Sequence, residues 1–355
     1  MRQIPLSEAK PGMLLARYIM NGAGTILLAP DVTLTEEYLR KLTALGVSTI
    51  FVKDPDHPDI HTPEYLSIQT QQRALAVLDT TMKQIARGDT FAPDAVDSVA
   101  SDIVEDLLMQ KNLTIHLSGI MTHDDDTLAH SLNCSIYSAI LARIAGFTIP
   151  QIKEVAAGAL LHDVGKMFIE KIILNKPGRL TEEEYAVVKV HAEQGFKSLI
   201  SRRGELSSLV AHMAWQHHER VNGQGYPRQL QGSEILPYAK ILAITDVYEA
   251  ITVNRPYRRA MAPDAIYDTI HSGLGNEFDA YLGELFLSKL AIYIAGMRVM
   301  LNTGETGIVA AVPEETPQRP VVRLIAHPDG SPYTPAREIS LADHPKIQIL
   351  ATKTT

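Results

Sequence analysis

Successive segments between residues 119 and 292 repeat apolar side chains at the spacing of an α-helix, and this long pattern limits the fold more than any other feature. Apolar positions that recur every three or four residues give a helix one face that must pack against a core. Glycine and proline lie between the segments, where they favour loops. The sequence therefore predicts a mainly α protein built on a helical bundle.

The two ends of the chain carry strand patterns instead of this helical repeat. Near the N-terminus, the runs MLLARYIM, TILLA and STIFV predict strands, and TLTEEYLRKLTALG predicts a capped helix. Two helical stretches follow, at roughly 64–87 and 93–118, and the runs MRVMLNTGETGIVAAV, RPVVRLIAHPDG and PKIQIL near the C-terminus alternate as strands do. We therefore predict a small α/β domain, a helical linker, a larger helical domain and a small β domain, over residues 1–60, 61–118, 119–295 and 296–355.

The composition excludes several classes of protein. Hydrophobic residues make up 45% and charged residues 21% of the chain, which is typical of a soluble globular protein. The net charge is −8 without a block of lysine and arginine, which argues against a DNA or RNA polymer as partner. The single cysteine, Cys134, fits a reducing compartment. Because neither a signal peptide nor an apolar run of about 18 residues is present, we expect a cytoplasmic protein without a membrane span.

Five histidines and two aspartates are candidate metal ligands. Neutral imidazole and carboxylate groups suit iron, manganese, zinc or nickel. Because the seven residues come from several predicted helices, only a bundle could bring them together, and bundles often build metal sites from inward-facing side chains. Any single histidine on an apolar helix face could equally be a core residue. The candidates are His130, His162, Asp163, His191, His217, His218 and Asp246.

Three motifs in this region resemble those of the HD-GYP domain, a subgroup of the HD phosphohydrolases. LLHDVGK at 160–166 matches the HDxGK motif of that family, and HHERVNGQGYP at 217–227 matches HHExxDGxGYP. ILAITDVYEAITVNRPYR at 241–258 matches the helix that ends in RPYR, and His130 and His191 stand where the family has histidines. The resemblance implies an HD-type helical bundle over this region and does not extend to the flanking domains.

The same resemblance implies a metal-dependent phosphodiesterase that hydrolyses cyclic di-GMP to linear pGpG, with further hydrolysis to GMP left open. It implies two or three divalent metal ions, usually iron or manganese. A phosphodiester is anionic and repels hydroxide. Two metals about 3.5–4 Å apart would lower the pKa of a bridging water to give hydroxide, orient the phosphate and offset its charge. Such metals would also supply the positive potential that the acidic chain otherwise lacks.

The resemblance also implies how the ligands divide between the metals. Asp163 would bridge two ions. One of these ions would be held by His191, His217 and His218, and the other by His162 and Asp246. His130 would complete the second metal site or join a third. Asp126 lies four residues before His130, on the same helix face, and could add a carboxylate to a third metal. Alternatively, HDDDT is only an acidic helix start that the helix dipole favours.

Four residues are candidates for contact with the substrate. Lys166 could contact the phosphate or assist the leaving oxygen, and it would act in catalysis together with Asp163. By resemblance, Tyr226, Arg255 and Arg258 contact the nucleotide; an arginine fork suits phosphate oxygens or a guanine edge. The simpler alternatives are a lysine favoured at a helix C-terminus, surface charge for the arginines and loop packing for the tyrosine.

Two positions depart from the family pattern, and they leave the substrate preference open. Asn222 and Glu249 stand where the family commonly has aspartate. The alternatives to a cyclic di-GMP phosphodiesterase are a phosphohydrolase for cyclic GMP-AMP or linear pGpG, and a non-catalytic cyclic di-GMP sensor or interaction protein. The complete ligand set argues against the sensor. The C-terminal β domain could pack on the helical domain or mediate a homodimer.

Overall fold

The computed structural model describes residues 1–47, 49–116, 126–176, 178–201, 205–252, 261 and 263–352, except for the side chains at 126, 263 and 264. Within these residues the chain is mainly helical, with a small mixed unit at the N-terminus and a five-stranded sheet at the C-terminus. The predicted fold class is therefore confirmed. None of the described helices combines the length and hydropathy that crossing a bilayer requires.

The N-terminal unit consists of two small antiparallel strand pairs and one helix. Strand β1 (Arg2–Pro5) pairs with β4 (Thr49–Val52), β2 (Ile19–Met20) pairs with β3 (Ile26–Leu28), and α1 is Glu36–Ala44. The side chain of Thr35 caps α1, as the sequence predicted. Strand β1 was not predicted from the sequence. The whole run MLLARYIM was predicted as a strand, but only its last two residues, Ile19–Met20, form one. Residues 14 and 15 form only isolated bridges to residues 33 and 52, so no regular ladder develops there.

The helical region buries one continuous apolar core. Its helices are α2 Ile68–Arg87, α3 Pro93–Met109, α4 Asp126–Ile144, α5 Ile149–Leu161, α6 Lys171–Leu174, α7 Glu182–Ile200, α8 Ser208–Gln216, α9 Pro237–Thr252, α10 Pro263–Ser272 and α11 Ala280–Lys289. Leu75 of α2 and Ile103 of α3 share this core with Leu132 of α4 and Leu160 of α5. Each such side chain contributes about 1.5–3 kcal/mol when fully buried. Helices α2 and α3 thus pack on the bundle, and the domain boundaries stay predictions.

The second helical stretch of the predicted linker is shorter than expected. Helix α3 ends at Met109, whereas the sequence pattern extended it to 118. The chain is extended at Ile115 instead, because this residue exchanges backbone hydrogen bonds with the C-terminal end of α11 and the residues that follow it. The N–H of Ile115 donates to the carbonyl of Lys289, and its carbonyl accepts from the N–H of Ala291, both at 2.7 Å. The apolar repeat of a short segment does not indicate that the segment will pair, like a strand, with residues far away in the sequence.

The C-terminal sheet is antiparallel, in the order β8-β7-β6-β5-β9. Its strands are β5 Arg298–Leu301, β6 Thr306–Ala311, β7 Val321–Ala326, β8 Pro332–Ser340 and β9 Ile349–Thr352. The sequence predicted this β unit but not β8, whose side chains are mostly exposed and therefore lack an apolar alternation. Arg323 on β7 binds the carboxylate of Asp59, so the sheet also contacts the segment after the N-terminal unit.

His116 connects the end of the extended segment to the start of the α2 region. Its ring stacks on Tyr65 with centroids 4.4 Å apart, and its Nδ1 lies 2.8 Å from the Tyr65 hydroxyl. Burial lowers the pKa of His116 to about 4, although hydrogen bonds to the carbonyls of Pro63 and Thr114 oppose this shift. The folded protein therefore favours the neutral ring.

This shift predicts an acid-sensitive contribution to stability. Between the ordinary pKa of 6.5 and the folded value of about 4, the unfolded chain binds the proton more readily, so the free energy of unfolding falls as the pH falls. This stabilisation is present in full above pH 6.5, the pKa of His116 in the unfolded chain. It is lost as the pH falls through about 4, the pKa of His116 in the folded protein. It amounts to about 3 kcal/mol, since one pKa unit corresponds to about 1.4 kcal/mol. Denaturant unfolding of the wild type and His116→Gln across this window should show their stabilities converging at low pH; parallel curves would contradict the assignment.

Candidate metal centre

Three histidines of the cluster are fixed in the same way, each by a carbonyl three residues earlier in the chain. The Nδ1–O distances are 2.7, 2.6 and 2.9 Å for the pairs His162–Ala159, His191–Val188 and His217–Ala214. His162 and His217 cap the C-terminal ends of α5 and α8, where helix carbonyls lack an intrahelical partner. Because a carbonyl only accepts, Nδ1 carries the proton in each ring and Nε2 presents a lone pair.

These lone pairs converge in a buried space. Nε2 of His191 lies 3.2 Å from Nε2 of His217, and two unprotonated nitrogens repel each other at this distance unless a cation lies between them. Within the described residues, Nε2 of His162 and Oδ1 of Asp163 are buried without a hydrogen-bond partner. A buried acceptor without a partner costs about 1–3 kcal/mol, which coordination would offset. The donor set therefore fits divalent metal ions.

Asp163 lies at the centre of the cluster, and its two oxygens face different groups of residues. It follows His162, the residue that caps α5, and opens a 3-10 turn over Val164–Phe168. Oδ1 lies 3.4 Å from Nε2 of His191 and 3.9 Å from Nε2 of His217. Oδ2 lies 3.3 Å from Nε2 of His162 and 3.5 Å from Nε2 of His130. One carboxylate is thus shared between two sets of nitrogen ligands.

The side of the cluster that Oδ2 faces is built mainly by α4 and α9. Nε2 of His130 lies 3.2 Å from Oδ1 of Asp246, and its Nδ1 lies 2.5 Å from Oε2 of Glu249. Ligand atoms of His130, Cys134, His162 and Asp246 all lie within 4.8 Å of one another. Those of His191, His217 and His218 form a second such group, and those of His162, Asp163 and His217 form a third that joins the two. The structure therefore brings all seven predicted ligands together.

Both aspartates are held in the ionised state. Burial alone would raise the pKa of Asp163, but His162 and Lys166 hold it well below its usual range. Burial opposes ionisation of Asp246 too, yet a hydrogen bond with His130 holds its pKa well below the ordinary value. Ionised carboxylates are the form in which aspartate binds metals.

The histidines differ in their electrostatic surroundings. Burial lowers the pKa of His191, and burial together with the neighbouring imidazoles lowers the pKa of His217 and His218 well below the usual value. These three rings are therefore neutral, as ligands must be. Burial would also lower the pKa of His130, but Cys134, Glu249 and Asp246 together raise it well above its usual value.

Glu219 organises the loop that follows the two adjacent histidines. Its buried carboxylate accepts hydrogen bonds from the backbone N–H groups of Arg228 at 2.7 Å and Leu230 at 2.9 Å. A Cβ at Gly225 would lie 2.5 Å from the carbonyl oxygen of His218, so only glycine allows this approach of the loop. The departure at Asn222 has a local role, since its Oδ1 accepts from the N–H of Gln224 at 2.9 Å.

Tyr226 packs against His218 of the cluster. The two rings are 4.6 Å apart at an interplanar angle of 30°. Tyr185 of α7 meets Tyr226 edge-on with centroids 6.3 Å apart, and Nζ of Lys189 lies 5.0 Å above the Tyr185 ring. Tyr185 is 47% exposed. Neither Tyr185 nor Lys189 was among the candidate site residues of the sequence, although both share α7 with His191.

Of the other predicted substrate and ligand residues, one joins the cluster and three lie wholly or partly outside the described part of the chain. Nζ of Lys166 lies 2.5 Å from Oδ2 of Asp163, so the lysine joins the cluster through an ion pair. Arg255 and Arg258 lie outside the described residues. Asp126 is the first residue of α4, and its side chain also lies outside the described part of the chain. The proposed third metal therefore stays a prediction.

Two residues of the cluster were not predicted as members. The sequence indicated Cys134 only as a sign of a reducing compartment and Glu249 only as a departure from the family pattern. Both lie one helical turn from a candidate ligand: Cys134 follows His130 by four residues, and Glu249 follows Asp246 by three. That spacing was the signal available in the sequence.

Glu249 orients His130, and its substitution should weaken metal binding. A carboxylate that accepts from the far nitrogen of a ligand histidine fixes the ring and raises its basicity, and its loss typically costs about 10–100-fold in metal affinity or activity. We expect this loss for Glu249→Gln, as measured by competition with a chelator. Glu249→Asp restores the charge and should bind more tightly than Glu249→Gln. Equal affinities in all three proteins would show that Glu249 does not position the ligand.

Comparison with known proteins agrees with this site. Residues 117–282 match the family profile described as HD domain, and residues 298–353 match a KOW domain associated with HD domain. A cyclic di-GMP phosphodiesterase of Pseudomonas aeruginosa is 33% identical over 273 residues, which are 74% of this chain and 65% of that protein. A 3'3'-cGAMP-specific phosphodiesterase of Vibrio cholerae is 32% identical over 186 residues, which are 52% of this chain and 36% of that protein. The chain thus spans less than two thirds of either relative.

Proposed function

Because this chain belongs to the HD-GYP family of HD-domain phosphohydrolases, we propose that it is a metal-dependent phosphodiesterase that hydrolyses cyclic di-GMP to linear pGpG. An HD domain implies divalent metal binding, and we further propose iron or manganese as the metal. The nitrogen and carboxylate donors suit both ions. A homodimer and a cytoplasmic location stay predictions.

One observation carries the proposal: Asp163 offers one oxygen to each of two ligand groups. The group near Oδ1 contains His191 and His217, and the group near Oδ2 contains His162 and His130. A carboxylate shared in this way suits two metal ions held side by side, the arrangement that phosphodiester hydrolysis uses in many enzymes. A binding protein would need no such pair.

The residues would divide the work of the reaction. Bound metals would activate water as the nucleophile and offset the negative charge of the phosphate. Asp163 would keep its charge and bridge the two ligand groups. Lys166, 23% exposed and paired with Asp163, would bring a positive charge to the phosphate side of the site. The buried imidazoles would exclude bulk water and strengthen these electrostatic interactions.

Recognition of the nucleotide would use the aromatic side of the site. Tyr226 and Tyr185 present ring faces and edges beside His218, and Lys189 adds a cation above them. A guanine base can stack on such rings, and stacking contributes about 1–3 kcal/mol per base. Arg255 and Arg258, which follow α9, would contact a phosphate or a guanine edge.

A second candidate substrate is 3'3'-cGAMP, because relatives named for that activity match this chain at similar identity, 32% in one case and 38% over 136 residues in another. The two cyclic dinucleotides differ in one base, so the choice depends on base contacts and not on the metals. Initial rates for metal-loaded protein on cyclic di-GMP, 3'3'-cGAMP and linear pGpG decide between them. The highest kcat/KM for cyclic di-GMP would support our proposal. The highest kcat/KM for 3'3'-cGAMP or linear pGpG would show that the proposed substrate is wrong. Binding of cyclic di-GMP without any hydrolysis would indicate a sensor.

A further inference from the structure

The only cysteine of the chain lies inside the cluster that the proposed function requires. Cys134 is fully buried on α4, one turn after His130 and on the same helix face. Its Sγ lies 3.8 Å from both Nδ1 and Nε2 of His130. The side chain thus lies beside a candidate ligand.

The surroundings of this sulfur have the dimensions of a metal site. The ligand atoms of His130, Cys134, His162 and Asp246 lie within 4.8 Å of one another. Metal–nitrogen bonds of about 2.0–2.1 Å and metal–sulfur bonds of about 2.3 Å in a tetrahedron put neighbouring ligand atoms about 3.3–3.6 Å apart. The separations of 3.2 Å from His130 Nε2 to Asp246 Oδ1 and 3.8 Å from His130 Nε2 to Sγ require only small adjustments.

A second observation points to a ligand at this position independently of the cysteine. Nε2 of His162 is fully buried and has no hydrogen-bond partner among the described residues, while its Nδ1 is used by the Ala159 carbonyl. That ring therefore directs a free lone pair into the space that Cys134 borders.

We propose that Cys134 is a thiolate ligand of the ion held by His130, His162 and Asp246. The proposal rests on the proposed function only in requiring that the cluster binds a metal. The thiol proton leaves to solvent as the metal–sulfur bond forms, so the coordinated group is the thiolate. The two metal positions then differ, with nitrogen, oxygen and sulfur donors around one and imidazoles with a shared carboxylate around the other.

This difference has a consequence for metal selectivity. Thiolate is a soft ligand that suits zinc and iron, whereas manganese prefers carboxylate, carbonyl and water oxygen. The position beside Cys134 should accept iron or zinc more readily than manganese. Replacement of the sulfur by oxygen in Cys134→Ser should lower the affinity of this position for zinc at least about tenfold and change manganese affinity less.

X-ray absorption at the zinc and iron edges of the 355-residue protein tests the ligand directly. We expect a metal–sulfur scattering path at about 2.3 Å in the wild type and its loss in Cys134→Ser. Because this is the only cysteine, a sulfur path at thiolate distance can come from no other cysteine of the chain. Cobalt(II)-loaded protein gives an independent signal, a sulfur-to-cobalt charge-transfer band in the near ultraviolet that should disappear in the variant.

The control is Ile136→Val, a buried methylene deletion on the same helix outside the ligand group, which should leave both spectra unchanged. If Cys134→Ser fails to fold, the wild-type spectrum alone decides. Metal bound without a sulfur path would overturn the proposal even if cyclic di-GMP is hydrolysed. A metal–sulfur path in a protein that hydrolyses no cyclic dinucleotide would support Cys134 as a ligand and would contradict the proposed function instead.

Discussion

Asp163→Asn should lower turnover of cyclic di-GMP by on the order of 10³-fold, because two bound metals supply several kcal/mol of charge stabilisation and each 1.36 kcal/mol is tenfold in rate. The amide keeps the shape of the side chain but loses the charge, and it cannot present two equivalent acceptor oxygens to the nitrogens on either side. His191 and His162 would then lose the carboxylate they share. We therefore expect bound metal to fall together with the rate.

The measurement is metal content per chain alongside single-turnover rates at saturating metal. Asp268→Asn is the matched control, since it makes the same chemical change at an exposed position of α10 outside the cluster. It should keep both metal and rate. Wild-type activity and metal content in Asp163→Asn would show that Asp163 does not join the two ligand groups.

Gly165→Ala should also disrupt the site, although the residue carries no side chain. A Cβ at this position would lie 1.9 Å from the carbonyl oxygen of His191 and 2.6 Å from the backbone nitrogen of Gly195. Backbone atoms cannot rotate away, so the turn that begins at Asp163 and helix α7 must separate. Overpacking of this kind costs about 1–3 kcal/mol of stability or more. A displacement of about 1 Å between catalytic groups can cost on the order of 10²-fold in rate.

Gly195→Ala is the control for this close approach, because it lies on the other side of the same contact. Its added Cβ would be 3.4 Å from the nitrogen of Gly165 and 3.5 Å from the Cβ of Ala214, which are ordinary distances. Alanine is also favoured over glycine within a helix by about 0.5–1 kcal/mol. Thermal unfolding and cyclic di-GMP turnover should therefore be nearly unchanged or improved in Gly195→Ala. Equal behaviour of the two variants would show that the space at Gly165 does not set the position of Asp163.

The HDVGK motif predicted the position of the site, but the requirement for a glycine at 165 could not be predicted from the sequence. The motif indicated a site at His162 and Asp163, and the structure brings both into the cluster. The requirement for Gly165 comes from the approach of a helix that begins seventeen residues later, at Glu182. Such a contact depends on tertiary packing, which a local pattern does not contain.

The helical core was predictable because amphipathic periodicity reports burial directly. The seven candidate ligands were recognisable as a set because their motifs occur in order. The pairing of β1 with β4 and the extended segment around Ile115 were missed, since each is stabilised by hydrogen bonds to distant chain. Strand pairing over long separations leaves little trace in a short run of residues.

Glu249 and Cys134 were visible in the sequence but were interpreted too narrowly. Helical spacing placed each on the face of a candidate ligand, yet only the structure shows Glu249 at 2.5 Å from His130 and Cys134 at 3.8 Å. The protonated Nδ1 atoms of His162 and His217 were also beyond prediction, because they depend on free carbonyls at two helix ends.

The most direct test of the central claim is anaerobic reconstitution of the metal-free protein with iron(II) or manganese(II), followed by product analysis with cyclic di-GMP. We predict no product without metal, and linear pGpG that rises in parallel with the metal bound per chain. The same titration of Asp163→Asn should give none. Full metal occupancy without any linear product from the wild type would contradict the account.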